Sequence, residues 1–213
     1  MNQAELVYHL IKEKFLKTPE IIKAFKEINR ADFIQERLKE EAYVNTPLPI
    51  GFNQTISQPL TVAFMLELLA PQEGEKILDV GSGSGWQTAL LAHIVGESGK
   101  IFAVEILPSL AHSGKINVEK YRFVSRGRVE FFEGDGSLGL PEKAPFDKII
   151  AAASADELPA AWKEQLTTGG RIVAPIKNSV WLIKKEGENH FEETEFPGFA
   201  FVPLVSGKDS GNN

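Results

Sequence analysis

The run Lys76-Ile77-Leu78-Asp79-Val80-Gly81-Ser82-Gly83-Ser84-Gly85 constrains this chain more than any other stretch. An apolar strand enters a turn with glycine at every second position. The largely apolar segment from Trp86 to Val95 then reads as a helix that stops at Gly96. Glycine takes positive φ without steric cost and lets a ligand approach the main chain. The first turn of the helix adds N–H groups that have no partner within the helix. The expected unit is a buried parallel strand, a tight turn and a helix, with a nucleotide-like site at the crest.

Spacing narrows the ligand. Trp86 stands where the dinucleotide fingerprint G-x-G-x-x-G needs its last glycine, and no G-x-x-x-x-G-K-[ST] phosphate loop occurs. Asp79 puts a carboxylate beside the turn, where it repels phosphate and attracts an ammonium group. The pattern D-x-G-x-G-x-G resembles the first motif of the S-adenosylmethionine-dependent methyltransferases; the other reading of the bare motif is a glycine turn without a ligand. A second acid, Glu105, closes the next apolar strand 20 positions after Gly85. In open α/β sheets an acid at that offset lies beyond the strand ends, where it can hold ribose hydroxyls.

The rest of the chain supports an α/β domain. Up to about residue 45, apolar side chains recur every three or four positions, as in amphipathic helices, with Pro19 in the first turn of the second. Residues 43–52 are proline-rich and read as a loop or edge segment, and a third helix is expected over 59–69. Strands are expected at 76–80, 101–106, 129–133, 147–153 and 171–176, with helices at 86–95, 108–120 and 157–166. That alternation predicts a mostly parallel sheet with helices on both faces. Strands at 180–185, 192–195 and 199–205 follow without helices between them, which predicts an antiparallel edge, and 206–213 reads as a frayed tail.

Charge and composition limit the partners. A net charge of −6 and a pI near 5.4 argue against nucleic acid, whose phosphates need a basic face. The absence of cysteine excludes thiolate chemistry, and four scattered histidines give no metal-ligand spacing, so no metal is expected. No signal-like or membrane-spanning run is read, and a cytoplasmic protein without a membrane role is expected.

More specific segments flank the glycine loop. Leu48-Pro49-Ile50-Gly51-Phe52-Asn53-Gln54-Thr55-Ile56-Ser57-Gln58-Pro59, Gly134-Asp135-Gly136, Ala144 to Ile150, Leu166 to Arg171 and Phe201-Val202-Pro203-Leu204 resemble the protein-L-isoaspartate (D-aspartate) O-methyltransferase family. The likeness runs from about residue 6 to residue 207. It implies a Rossmann-like class I methyltransferase: one domain over 1–207, with a helical extension and substrate-side loop (1–70), a cofactor-binding core (71–176) and C-terminal strands (177–207), then a flexible tail (208–213). It implies S-adenosyl-L-methionine as cofactor and isoaspartyl-containing proteins and peptides as partners of a monomer. Asp79, Gly81 and Gly83 would hold the amino-acid end of the cofactor, Glu105 the ribose, and Asp135 and Gly136 the adenine, with Ser82, Gln87 and Ile106 also binding the cofactor. Ser57 would be the catalytic residue, its hydroxyl holding the substrate carboxylate, and its place before the third helix also suits a cap. Ile56, Gln58, Leu60, Ala153, Ser154 and Val202 would line the substrate side.

Departures from the family pattern fall on that substrate side. Leu60-Thr61 replaces a ring-bearing pair, Ala153-Ser154-Ala155-Asp156 lacks the usual proline and gains an acid, Lys177 ends a turn usually closed by glycine, and Ala200 takes a place often basic or aromatic. Phe52, Trp86 and Phe201 are the rings that could compensate. The acceptor therefore stays open at this level between an isoaspartyl carboxylate and another carboxylate, with a non-catalytic cofactor-binding protein as the third reading.

Overall fold

The computed structural model describes residues 1–205 and Gly207; of the expected tail, Ser206 and 208–213 lie outside the described residues. Helices α1 (Gln3–Lys12) and α2 (Pro19–Glu27) open the chain. Asn2 and Glu5 form a capping box on α1, and Pro19 starts α2 as expected. The proline-rich stretch forms a hairpin of β1 (Leu48–Gly51) and β2 (Gln54–Ile56). Its turn residues Phe52 and Asn53 both have positive φ, as a type I′ turn requires. Pro47 and Pro49 erase the period-two pattern that would have announced these strands. Helix α3 (Pro59–Leu69) follows and leads into the sheet.

The sheet strands are β3 (Lys76–Val80), β4 (Lys100–Glu105), β5 (Val129–Glu133), β6 (Phe146–Ala151), β7 (Leu166–Ile176), β8 (Ser179–Gly187) and β9 (His190–Pro197), joined in part by α4 (Trp86–Ile94), α5 (Pro108–Glu119) and α6 (Ala160–Glu164). Their order is β5-β4-β3-β6-β7-β8-β9, parallel from β5 to β7 and antiparallel from β7 to β9. The expected architecture is thus present, with two corrections at its margins. The helix expected over 157–166 shrinks to five residues, because Pro159 delays its start and β7 already begins at Leu166. The strand expected over 199–205 does not form; this segment makes only an isolated bridge from Pro203 to Ser154. The antiparallel edge therefore ends at β9, and residues 202–205 run across the sheet's carboxyl end.

Alternate side chains of each inner strand enter two separate cores, as the pleat demands. Ile77, Ile101 and Ile150 pack with α1 to α4, whereas Leu78, Phe102 and Ile149 pack with Trp162 of α6. Helix cover is uneven: α1 to α5 contribute to the first core, and α6 with short 3₁₀ turns covers the second.

The third glycine of the turn has a packing role. Gly85 starts α4 at φ +86, and a Cβ there would lie 2.8 Å from the Gly114 carbonyl oxygen and from Val118 on α5. Gly114 in turn lets the Gly83 carbonyl approach, since its own Cβ would sit 2.8 Å from that oxygen. Main chain cannot give way as a side chain can. Gly85→Ala is expected to lower stability by about 2 kcal/mol through strain and overpacking, read as a reduced urea midpoint with an unchanged slope. A midpoint equal to that of the parent protein would refute this packing role.

Candidate functional site

The site lies where β3 and β6 stand side by side and the chain reverses its direction of winding, the usual position for a ligand in an open α/β sheet. Gly81, Gly83 and Gly85 all take positive φ, as the sequence predicts. The N–H groups of Gly81 and Ser82 both donate to the Val104 carbonyl, at 2.9 and 3.2 Å, which seats the turn on the end of β4. Glu105 completes the seat. One carboxylate oxygen accepts from Gly83 N–H at 2.8 Å and the other from Leu107 N–H at 3.1 Å. Its side chain is buried yet borders the cleft.

Three hollows meet at this crest. The first, about 580 Å³ and partly open to solvent, lies beside the strand ends, among Gly81, Gly83, Glu105, Ile106, Leu110 and Gly136. The second, about 340 Å³, lies under the glycine turn beside Ser82, Trp86 and Gln87. A third, about 620 Å³, opens outward between Ser57, Gln58, Thr61, Phe201 and Val202. Thr55 and Ala152 border all three, and Ser57 stands on the wall between the second and third.

Most of the expected residues come together here. Gly81, Ser82, Gly83, Gln87, Glu105, Ile106 and Gly136 line the inner hollows; Ile56, Ser57, Gln58, Ala153 and Val202 line them or the outer one. Others sit differently. Asp79 is fully buried, with its oxygens accepting from Gln87 Nε2 at 2.8 Å and Thr88 Oγ1 at 2.6 Å, so it stands behind the site rather than in its wall. Burial pushes its carboxyl up to about 6 and the Glu105 charge adds to the rise, while the Thr88 and Gln87 hydrogen bonds oppose it. Asp135 caps a 3₁₀ turn through Ser137 and accepts from Gly207 N–H at 2.7 Å, leaving Gly136 to face the cleft.

On the substrate side, Ser154 donates its hydroxyl to the Lys177 carbonyl and Leu60 is held by its N–H to Asn45, and neither borders the hollows. The helix cap expected of Ser57 is not made: Gln58 is the N-cap of α3, with no side-chain cap bond. Asp156 is exposed and borders none of the three hollows. Of the three candidate rings, Phe201 borders the outer hollow, Trp86 the second, and Phe52 points to solvent.

Thr55 and Ala152 escaped the sequence reading as site residues, although Thr55 lies inside the Gln54-Thr55-Ile56-Ser57 run that singled out Ser57. Ala152 carries no chemistry in its side chain; only its place just after β6 marks it.

The donor set fits S-adenosylmethionine. Among the described residues no lysine or arginine lines the two inner hollows, which gives a phosphate no cationic partner there, whereas Glu105 suits hydroxyl donors. The buried Ser82 Oγ and Trp86 Nε1 have no hydrogen-bond partner among the described residues, and both belong to residues bordering the second hollow. A buried polar atom without a partner costs about 1–3 kcal/mol, which the charged end of an amino-acid ligand would relieve. Ile106, Leu107 and Leu110 provide apolar wall for a flat base in the first.

Known proteins resemble this chain over most of its length. The sequence profile of the protein-L-isoaspartate(D-aspartate) O-methyltransferase family matches residues 1–209. A protein-L-isoaspartate O-methyltransferase of Methanopyrus kandleri is 38% identical over 204 residues, covering 94% of this chain and 89% of its own length. Protein-L-isoaspartate O-methyltransferase 2 of Archaeoglobus fulgidus is 40% identical over 206 residues, covering 95% and 93%. In structure, the chain is similar to a Plasmodium falciparum protein described as a protein-L-isoaspartate O-methyltransferase in complex with S-adenosyl-L-homocysteine. That TM-score is 0.87, with 22% identity and coverage of 96% of this chain and 99% of that one.

Proposed function

The chain belongs to the protein-L-isoaspartate(D-aspartate) O-methyltransferase family, and from that premise we propose how its own residues carry the reaction. The enzyme methylates the α-carboxylate of L-isoaspartyl residues in damaged proteins and peptides, the first step of repair through a succinimide. When bound, S-adenosylmethionine supplies a methyl group activated by its sulfonium. Glu105 would accept from the ribose hydroxyls while keeping the glycine turn in place. Ile106 and Leu110 would face the adenine, with Gly136 at its edge. Ser82 and Trp86 would donate to the amino-acid carboxylate, and Asp79, acting through Gln87, would hold the negative charge that balances the ammonium.

The observation that carries the reading is the position of Ser57 on the wall shared by the hollow under the glycine turn and the outward one. A carboxylate has an ordinary pKa near 4, so the acceptor is already ionised at neutral pH and needs no general base. What this chain must supply is orientation, which can lower a barrier by about 7–11 kcal/mol. The Ser57 hydroxyl donates to one acceptor oxygen and turns the other toward the methyl group. Thr55 and Ala152 keep water out of the junction between the hollows.

We take residues 1–207 to act as one monomeric domain in the cytoplasm. The net charge of −6 supports peptides and proteins, and not nucleic acid, as partners. Among the described residues no helix is long and apolar enough to cross a membrane.

The test is transfer of a radiolabelled methyl group to an isoaspartyl peptide beside its normal aspartyl twin. Base-labile label confined to the isoaspartyl peptide is expected; label in neither, or equally in both, refutes the assignment. In the same assay Ser57→Ala is expected to lower kcat roughly tenfold, the worth of one charge-assisted hydrogen bond of about 1.5 kcal/mol. Its affinity for S-adenosylhomocysteine should stay unchanged, and turnover equal to that of the parent enzyme would remove Ser57 from the mechanism.

A further inference from the structure

Arg30 is 1% exposed, and its guanidinium meets no carboxylate among the described residues. It donates instead to four main-chain carbonyls. Nη1 reaches Ala42 at 2.8 Å and Val44 at 3.3 Å; Nη2 reaches Thr46 at 3.0 Å and Ser57 at 3.1 Å. Its Cζ lies 5.3 Å from the centroid of the Trp86 ring, which borders the hollow under the glycine turn. Asp32, two residues on, is engaged by the Tyr121 hydroxyl at 2.7 Å. Asn29, one residue before, accepts from the Tyr43 hydroxyl at 2.8 Å. Burial draws Arg30 down only to about 10, so it stays charged at neutral pH.

A whole positive charge is thus kept dry beside Ser57, tied to dipoles and an aromatic face but to no anion. Burying a charge without an ion partner is costly, and a neutral donor could also tie main-chain carbonyls together. The acceptor of the reaction is an anion and arrives at the same serine. We propose that Arg30 is a positioning residue for methyl transfer: it fixes the main chain that aims the Ser57 hydroxyl, and its charge favours the incoming carboxylate. This rests on the role given to Ser57 above. Its guanidinium acts through Ser57 and Trp86, which border the site, and is not itself a wall of any of the three hollows.

The test separates position from charge. Arg30→Lys keeps the charge and loses the planar fork; Arg30→Met keeps bulk and loses both. For an isoaspartyl peptide, Arg30→Lys is expected to lower kcat roughly tenfold with little change in KM, while Arg30→Met raises KM as well. Affinity for S-adenosylhomocysteine, measured by calorimetry, should move less than about threefold in Arg30→Lys. In a Ser57→Ala background the Arg30→Lys loss should shrink to about threefold or less, because groups acting as one unit are not additive. An undiminished loss in that background, or turnover within about twofold of the parent for Arg30→Lys, overturns the proposal while leaving the activity standing. Equal KM values for the two variants overturn the charge role. If Arg30→Met does not fold, Arg30→Gln replaces it as the uncharged variant in the KM comparison, and the cycle with Arg30→Lys decides the positioning role. If Ser57→Ala matches the parent enzyme, the reading of Ser57 itself fails and takes this one with it.

Discussion

Replacing Glu105 by glutamine is expected to weaken binding of S-adenosylhomocysteine roughly a hundredfold, about 3 kcal/mol, with peptide methylation falling in step at limiting cofactor. On the proposed reading, the carboxylate has two duties that an amide cannot share. Its oxygens accept from Gly83 N–H and Leu107 N–H, fixing the turn and the start of the next loop at once. Its remaining lone pairs border the first hollow, where two ribose hydroxyls would need acceptors. An amide has one acceptor oxygen and presents N–H to a donor on its other side, so one backbone N–H or one hydroxyl must go unpaired in a buried setting. Glu105→Asp keeps the charge on a stem one methylene shorter, and it should recover part of the affinity only if charge matters apart from reach. Calorimetry on Glu105→Gln decides the issue. An affinity within about threefold of the parent would mean that the ribose is held elsewhere and that Glu105 serves only the turn.

The parts of this site legible in the sequence are those where one residue type is forced by local physics. Gly81 and Gly83 were legible because positive φ next to a buried strand leaves almost no alternative. Glu105 was legible because the strand after a glycine turn ends at a nearly fixed distance. The inner strands showed themselves because both of their faces are covered, giving apolar runs such as Ile77-Leu78 and Ile149-Ile150. Side-chain direction was not legible. Ser154 and Leu60 lie next to residues that line the hollows, yet a hydrogen bond to the Lys177 carbonyl and one from Leu60 N–H to Asn45 hold them elsewhere. Residues 199–205 have the composition of a strand, but hydrogen bonds between Ser154 and the main chain of Val202 and Leu204 draw the segment across the cleft, away from the outer edge of β9. Arg30 had no signal at all. Among the charged residues of the first 45 it reads as one more solvated cation, and only tertiary packing brings four carbonyls and the Trp86 face around it.

Asp79 provides the other large expected effect, in the pH dependence of stability. Its carboxyl is raised from 3.8 to about 6 in the folded chain, chiefly by burial. The sign follows from proton counting. Between these two values the folded state holds a proton that the unfolded state has released, so unfolding becomes easier as pH rises. The contribution is fully present below about pH 4 and is lost as pH passes through about 6, a loss of about 3 kcal/mol for a shift of some two units. Asp79→Asn cannot titrate, yet its amide can still accept from Thr88 or Gln87. Urea unfolding at intervals from pH 4 to pH 7 should therefore show the parent protein losing about 3 kcal/mol relative to Asp79→Asn. A difference that stays flat across this range would show that Asp79 is ionised throughout. Cofactor binding should run the opposite way. The cationic end of S-adenosylmethionine favours an ionised Asp79, so affinity should rise between pH 5 and pH 7 in the parent and stay level in Asp79→Asn. On the proposed reading, the position carries a cost in stability at neutral pH because a dry negative charge behind Gln87 balances the ammonium of the ligand.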